Sequence, residues 1–312
     1  DELFRDSTFN EDINNWDTRN VTSMASTFAD SEFNGDISKW DTSKVTNMAG
    51  MFEWNFIFEG TGGLNTSVQT RKDANGNDEK YLAWDVKNVT NMALMFYGWS
   101  GRDYKFNGEI SNWNTGNVVN MNSMFQWSYY FNQQIGEKQV DFSDDIDGFE
   151  KYTAWNLQKV EHMSSMFFGA ESFNNGVNNS IEGENNVGNP LKFTFHPNKM
   201  VSLFNMFYYA GSFNAPIYDW DTSNIKETRR MFNGASKFNQ EVRTWDMTTV
   251  LNNGLNQEMF TDATAFQQKY TSIDTPQLDF WRLFQEYTVP ANELTWSDVD
   301  ITYTPNPVYQ NL

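Results

Sequence analysis

One motif returns along this 312-residue chain at a nearly constant interval, and a chain that repeats itself has few folds open to it. Phe9-Asn10 is followed by Ile13, Trp16-Asp17, Val21, Met24 and Phe28, and the next copy gives Phe33-Asn34, Ile37, Trp40-Asp41, Val45, Met48 and Met51-Phe52. Later copies carry Trp84-Asp85, Trp113-Asn114, Trp155-Asn156, Trp220-Asp221 and Trp245-Asp246. The step from the Trp position to the Val position is five residues, and from Val to the closing Phe it is seven. The final copy departs, with ten residues from Val250 to Phe260. A degenerate copy reads as Phe195 at the Trp position, with Met200 and Met206-Phe207 after it. Together these make about eight full units of roughly 25 residues.

The units predict an α/β solenoid. In Val-x-x-Met-x-x-Met-Phe the apolar residues fall at a short helical or 3₁₀ spacing. Phe-Asn-x-Asp-Ile-x-x-Trp is strand-like and bounded by Asx residues that favour turns. A short strand and a short helical turn cannot bury their apolar faces alone, so neighbouring units must stack, Phe on Phe, Met on Met and Trp on Trp. The repeat tryptophans Trp16, Trp40, Trp84, Trp113, Trp155, Trp220 and Trp245 then serve a structural column. With 27 Phe, 13 Tyr and 12 Trp, aromatic area replaces a thicker aliphatic core. The recurrent Asn after Phe and Asp after Trp are expected to satisfy backbone groups at turns rather than to bind a ligand.

Asp-Ile-x-x-Trp-Asp-Thr-Ser-x-Val-Thr-x-Met-x-x-Met-Phe resembles the bacterial surface-protein 26-residue repeat, a relative of the BspA-like leucine-rich repeats. Residues 213–239 carry the resemblance most fully, through Phe213-Asn214, Trp220-Asp221-Thr222-Ser223, Met231-Phe232 and Phe238-Asn239. It extends over about residues 3 to 267. It implies a leucine-rich-repeat-like, right-handed coil in a surface-exposed or secreted protein, and no catalytic residues.

Three copies are interrupted between the Phe-Asn pair and the Trp, by insertions at 59–79, 136–151 and 175–190. Insertions confined to one sector map to one face of a solenoid, where loop growth without function and a binding face account for them equally. A smaller insertion, 97–105, follows the closing Phe96. Residues just past the closing Phe are unusually aromatic: Trp54, Trp99, Trp127, Tyr129, Tyr130, Tyr208 and Tyr209. Trp54, Trp127 and Tyr209 occupy one slot, where other copies have Gly169 and Gly234, as expected for an edge. These seven are the candidate binding residues, either as platforms for sugar faces or protein partners or as packing for the insertions.

Residues 1–267 form the repeat region and 268–312 a C-terminal cap and extended tail. Thr275 and Pro276 suit the start of a capping helix, with Leu278, Trp281, Leu283 and Phe284 along one stripe. At the other end Leu3-Phe4 precedes Phe9 as Phe28 precedes Phe33, so the array is expected to begin mid-unit.

The formal net charge is −19, a field that repels nucleic acid and anionic lipid. The chain has no cysteine and no apolar run of spanning length. His162 and His196 lie in unrelated units, and no nucleophile elbow, phosphate loop or zinc ligand set is present. Calcium is the one metal with a candidate: Asp73, Asn75, Asn77 and Glu79 alternate as at the start of a calcium loop, and Asp144, Asp145 and Asp147 form a second acidic knot. Both sets lie in insertions, and solvated acidic loops are the default reading of them. The expectation is a non-catalytic scaffold, displayed at a cell or virion surface or secreted, that contacts protein or glycan. The alternative is a structural subunit of an extracellular filament, sheath or virion, its partners being copies of itself.

Overall fold

A computed structural model describes residues 1–60, 62–177, 187–195, 199, 201–270, 273–276 and 280–281. Within it, successive repeats lie in parallel register, each forming one coil above the next. Isolated parallel bridges run Ser23 to Asn47, Asn47 to Asn91, Asn91 to Asn120, Asn120 to His162 and His162 to Ser202, one per step.

The closing Phe residues of nine described coils form an unbroken column. Phe4, Phe28, Phe52, Phe96, Phe125, Phe167, Phe207, Phe232 and Phe260 follow one another at 5.4 to 5.6 Å with nearly parallel rings. A second column, from Phe9 to Phe266, is built by the Phe of each Phe-Asn pair. Inside a coil the two rings stack at 3.7 to 4.2 Å, for example Phe96 on Phe106 and Phe28 on Phe33. Aromatic pairs of this kind add about 0.5–1.5 kcal/mol each beyond their buried area, so a thin core closes with few aliphatic residues.

The segment expected to be helical is a run of turns. Met24, Ser26, Phe28 and Asp30 donate their N–H groups to the carbonyls of Asn47, Ala49, Met51 and Glu53 in the next coil. The intervening Thr27 and Ala29 donate to Met24 and Ser26 in their own coil. Every second donor is therefore directed between coils, and a continuous helix cannot form. Left-handed backbone at Ser26 and Asp30, φ 51° and 50°, turns the chain at every second of these inter-coil donors.

The tryptophans use their polar atom to lock one coil to another. The indole N–H groups of Trp40, Trp84, Trp113 and Trp155 donate to the carbonyls of Ile13, Ile37, Leu64 and Ile110, at 2.6 to 3.0 Å. Trp220 and Trp245 do the same with Leu191 and Ile217. Trp84, Trp113 and Trp155 stack in sequence, and Trp220 stacks on Trp245. Trp16 stands at the first coil and is 47% exposed. Phe193, not Phe195, fills the gap in this column, stacking on Trp155 at 6.4 Å and on Trp220 at 5.8 Å. Phe195 instead bridges Leu157 through its backbone and meets Trp220 edge-on. The sequence spacing misassigned the slot because alternating Leu191, Phe193 and Phe195 all point inward. His196 and Met200 lie outside the described residues.

Two polar rows complete the stack. Oδ1 of Asn10, Asn107, Asn132, Asn174 and Asn214 accepts the backbone N–H of Asn34, Asn132, Asn174, Asn214 and Asn239 in the following coil, at 2.8 to 2.9 Å. The acid or amide after each Trp closes an Asx turn on the residue two further on, as Asp41 does on Ser43 and Asp85 on Lys87.

Two of the insertions are antiparallel hairpins. Strands β1 (Ser67–Lys72) and β2 (Asp78–Ala83) pair in the first, and β3 (Lys138–Val140) and β4 (Tyr152–Ala154) in the second. Residues 178–186 of the third lie outside the described residues. Short strands β5 (Val201–Ser202) and β6 (Ile225–Glu227) pair in parallel between neighbouring coils. The long last spacing is taken up by helix α1 (Thr248–Asn252), and helix α2 (Thr264–Tyr270) follows. The last coil is covered: Asp274 O, Thr275 Oγ1 and Pro276 O accept from Phe260 N, Glu258 N and Asn256 Nδ2. Phe280 and Trp281 are buried beside them. Leu278, Leu283, Phe284 and the tail lie outside the described residues.

Candidate binding groove

The slot two residues past the closing Phe generates the most unusual edge of the molecule. From the third to the eighth described coil it reads Trp54, Gly98, Trp127, Gly169, Tyr209 and Gly234, and the first, second and ninth coils carry Asp6, Asp30 and Asp262 there. Trp54, Trp127 and Tyr209 have φ of 57°, 59° and 55°, left-handed backbone that costs a side-chain-bearing residue about 1–2 kcal/mol. Each large ring needs room in the coil above, and glycine provides it. A Cβ on Gly169 would fall inside the Trp127 indole, and one on Gly234 would sit 2.5 Å from Tyr209 Cδ1. Gly98 is required by the other side, since a Cβ there would lie 2.5 Å from the Trp127 carbonyl oxygen. Aromatic and glycine thus alternate because two rings cannot occupy adjacent levels.

Trp127, Tyr129 and Tyr209 come together in a shallow open groove with Ser100, Gly101, Glu171 and Lys237. Tyr129 is held in place by accepting a hydrogen bond from Gly101 N at 3.0 Å, and Trp127 is braced by Phe168 at 4.8 Å. Tyr209 is 47% exposed. The other aromatic candidates do not line the groove. Trp54 and Trp99 pack together at 5.6 Å lower on the edge, Trp99 being 56% exposed. Tyr208 packs edge-on against Phe168 and Tyr209. Burial, reinforced by Tyr209, raises the Tyr208 hydroxyl above the usual range. Tyr130 borders a separate depression with Glu59, Lys105 and Glu109.

The acidic candidates have local roles in the insertions. Asp73 Oδ1 accepts the N–H groups of Asn75 and Asn77 at 2.8 Å, so it closes the β1–β2 turn. Glu79 pairs with Arg71 at 2.8 Å. Lys80 Nζ donates to the Asp145 carbonyl, joining the two hairpins, while Asp144 and Asp147 stand exposed. Among the described residues no group of three or more His, Cys, Asp and Glu side chains is placed to hold a metal ion. No described helix is long and apolar enough to cross a membrane.

Docking of the hairpins follows a rule that inspection of single residues missed. Tyr81 and Tyr152 each stand three residues before the Trp, and each donates its hydroxyl to the carbonyl before the preceding coil's Trp, Lys39 and Asn112, at 2.6 Å. The signal was present as Tyr-x-Ala-Trp in both insertions. Arg71 adds a second anchor, lying 4.5 Å over the Tyr81 ring and bonded to Asp41. Burial opposes ionisation of Asp41, but the bonds from Ser43 and Arg71 outweigh it and hold the carboxyl below its usual range.

No curated protein and no solved structure matches the chain. A family profile described as Mycoplasma protein of unknown function, DUF285, matches residues 1–62, 64–192, 138–273 and 189–295. On that coverage the chain belongs to the Mycoplasma family DUF285.

Proposed function

We propose that this protein is a non-catalytic scaffold, displayed at a cell surface or secreted, whose stacked coils form a leucine-rich-repeat-like solenoid for adhesive contact with protein or glycan. The observation that carries this reading is the groove at Trp127, Tyr129 and Tyr209, where one exposed ring, Tyr209, and two half-buried ones are carried on stacked coils. The resemblance of the repeat to bacterial surface-protein repeats supports the location. The test is binding of the labelled protein to epithelial cell monolayers, compared with Tyr209→Gly. Loss of binding by a variant that still folds supports the reading, and unchanged binding refutes it. The alternative, a subunit of a filament, sheath or virion, would need another copy to continue the ladder past the last coil. Residues 274–276 already occupy donors there, which weighs against that route. Sedimentation at rising concentration separates the two, since a lattice subunit polymerises and a scaffold does not.

A further inference from the structure

The groove has a direction and a period, and both constrain what it takes. Its lining comes from successive coils: Ser100 and Gly101, then Trp127 and Tyr129, then Glu171, then Tyr209 and Ser212, then Gly234 and Lys237. It therefore runs along the stacking axis, and a ligand filling it must be extended. Trp127 and Tyr209 stand two coils apart, two steps of the 5.5 Å Phe column. The coil between them presents Gly169, under the Trp127 ring. Such a surface offers an aromatic side chain at every second level, half-buried Trp127 and exposed Tyr209, with hydroxyl and charged groups between.

A linear chain of pyranose rings in which alternate sugars are flipped has the complementary pattern. The same C–H-rich face recurs once per disaccharide, and hydroxyl groups project on either side. Ring faces stack on such sugar faces, while serine, Glu171 and Lys237 meet the hydroxyls. The formal net charge of −19 opposes a polyanionic glycan. We infer that the groove binds a neutral, β-linked linear polysaccharide lying along the stack, with sugar rings on Trp127 and Tyr209. This rests on the contact-scaffold reading above and specifies its ligand.

Isothermal titration of the full chain with cellohexaose and chitohexaose, and with a heparin hexasaccharide as the anionic control, tests it. The decisive variant is Tyr209→Gly. Glycine already stands in that slot at Gly169 and Gly234, so the substitution removes the ring while relieving left-handed backbone. A neutral hexasaccharide should bind, the matching disaccharide should bind at least about tenfold more weakly because it cannot span two platforms, and Tyr209→Gly should weaken hexasaccharide binding by about tenfold or more. Absence of binding by both neutral hexasaccharides, unchanged affinity in Tyr209→Gly, or equal affinity for heparin would overturn the inference. If both neutral sugars fail while Tyr209→Gly still loses binding to cell monolayers, the ligand class is wrong and the scaffold reading survives. If Tyr209→Gly changes neither measurement, both fall.

Discussion

Replacing Gly169 by alanine isolates the interaction that gives the edge its alternating pattern. Two effects add. Alanine at φ +66° incurs a left-handed penalty of about 1–2 kcal/mol. Its Cβ also lands within the Trp127 indole, which is braced by Phe168 and cannot withdraw freely. Overpacking of that kind costs about 1–3 kcal/mol. Gly148 supplies the control, since its φ is +73° and a Cβ there meets nothing within 4 Å. Gly169→Ala should therefore destabilise by about 2–5 kcal/mol, against about 1–2 kcal/mol for Gly148→Ala. Adding Trp127→Gly should remove the steric part, so that alanine at 169 then costs no more than alanine at 148. Urea titration followed by circular dichroism gives the comparison, with residue-level hydrogen exchange to detect coils that open separately. Equal costs for the two alanine variants, or no relief from Trp127→Gly, would refute the ring-over-glycine arrangement.

Tyr81→Phe and Tyr152→Phe should each lower stability by about 0.5–1.5 kcal/mol and loosen their own hairpin, read as faster amide exchange across β1–β2 or β3–β4. Asn214→Ala removes the acceptor for Asn239 N and Gln240 Nε2, and should cost about 1–3 kcal/mol in chemical denaturation. The Asp41 carboxyl stays ionised to lower pH in the folded chain than in the unfolded one, whose value is near 3.9. Its contribution is thus complete above about pH 5 and is lost as pH falls through the lower folded value. Proteolysis within residues 73–77 should consequently accelerate on acidification before the coils unfold, and Asp41→Asn should show that acceleration at neutral pH.

The periodic parts of this molecule were legible in the sequence because periodicity and stacking are the same fact. Trp to Val at five residues and Phe recurring at each coil can persist only if equivalent side chains meet. The Asx assignments were legible for the same reason, although a carboxamide reaching the next coil, as Asn132 does to Asn174, is invisible to single-unit reasoning. The apolar spacing of Val-x-x-Met-x-x-Met-Phe was misleading about backbone. Apolar side chains three apart fit a helix and a chain of turns alike, and the destination of alternate N–H groups decides between them. Phe193 was hidden because strand-like alternation put three apolar residues in reach of one slot. In the candidate site, the aromatic row was visible, but its division was not. That Trp127, Tyr129 and Tyr209 share a groove while Tyr130 borders another depends on the insertion after Phe96, which carries Ser100 and Gly101 to the edge.

Coil-on-coil register underlies every other statement, and the absence of native cysteine makes it directly measurable. Asn47 and Asn91 are bridged in parallel between adjacent coils, whereas Asn120 lies one level further. Parallel neighbours are about 4.8 Å apart, within disulfide reach, and a second level lies beyond the roughly 7 Å limit. Oxidation of the Asn47→Cys, Asn91→Cys pair should give a rapid intrachain crosslink, seen by mass and by gel mobility without reductant, while the Asn47→Cys, Asn120→Cys pair should remain reduced. A crosslink at 47 and 120 with none at 47 and 91 would contradict the stacking, and with it the groove built upon it.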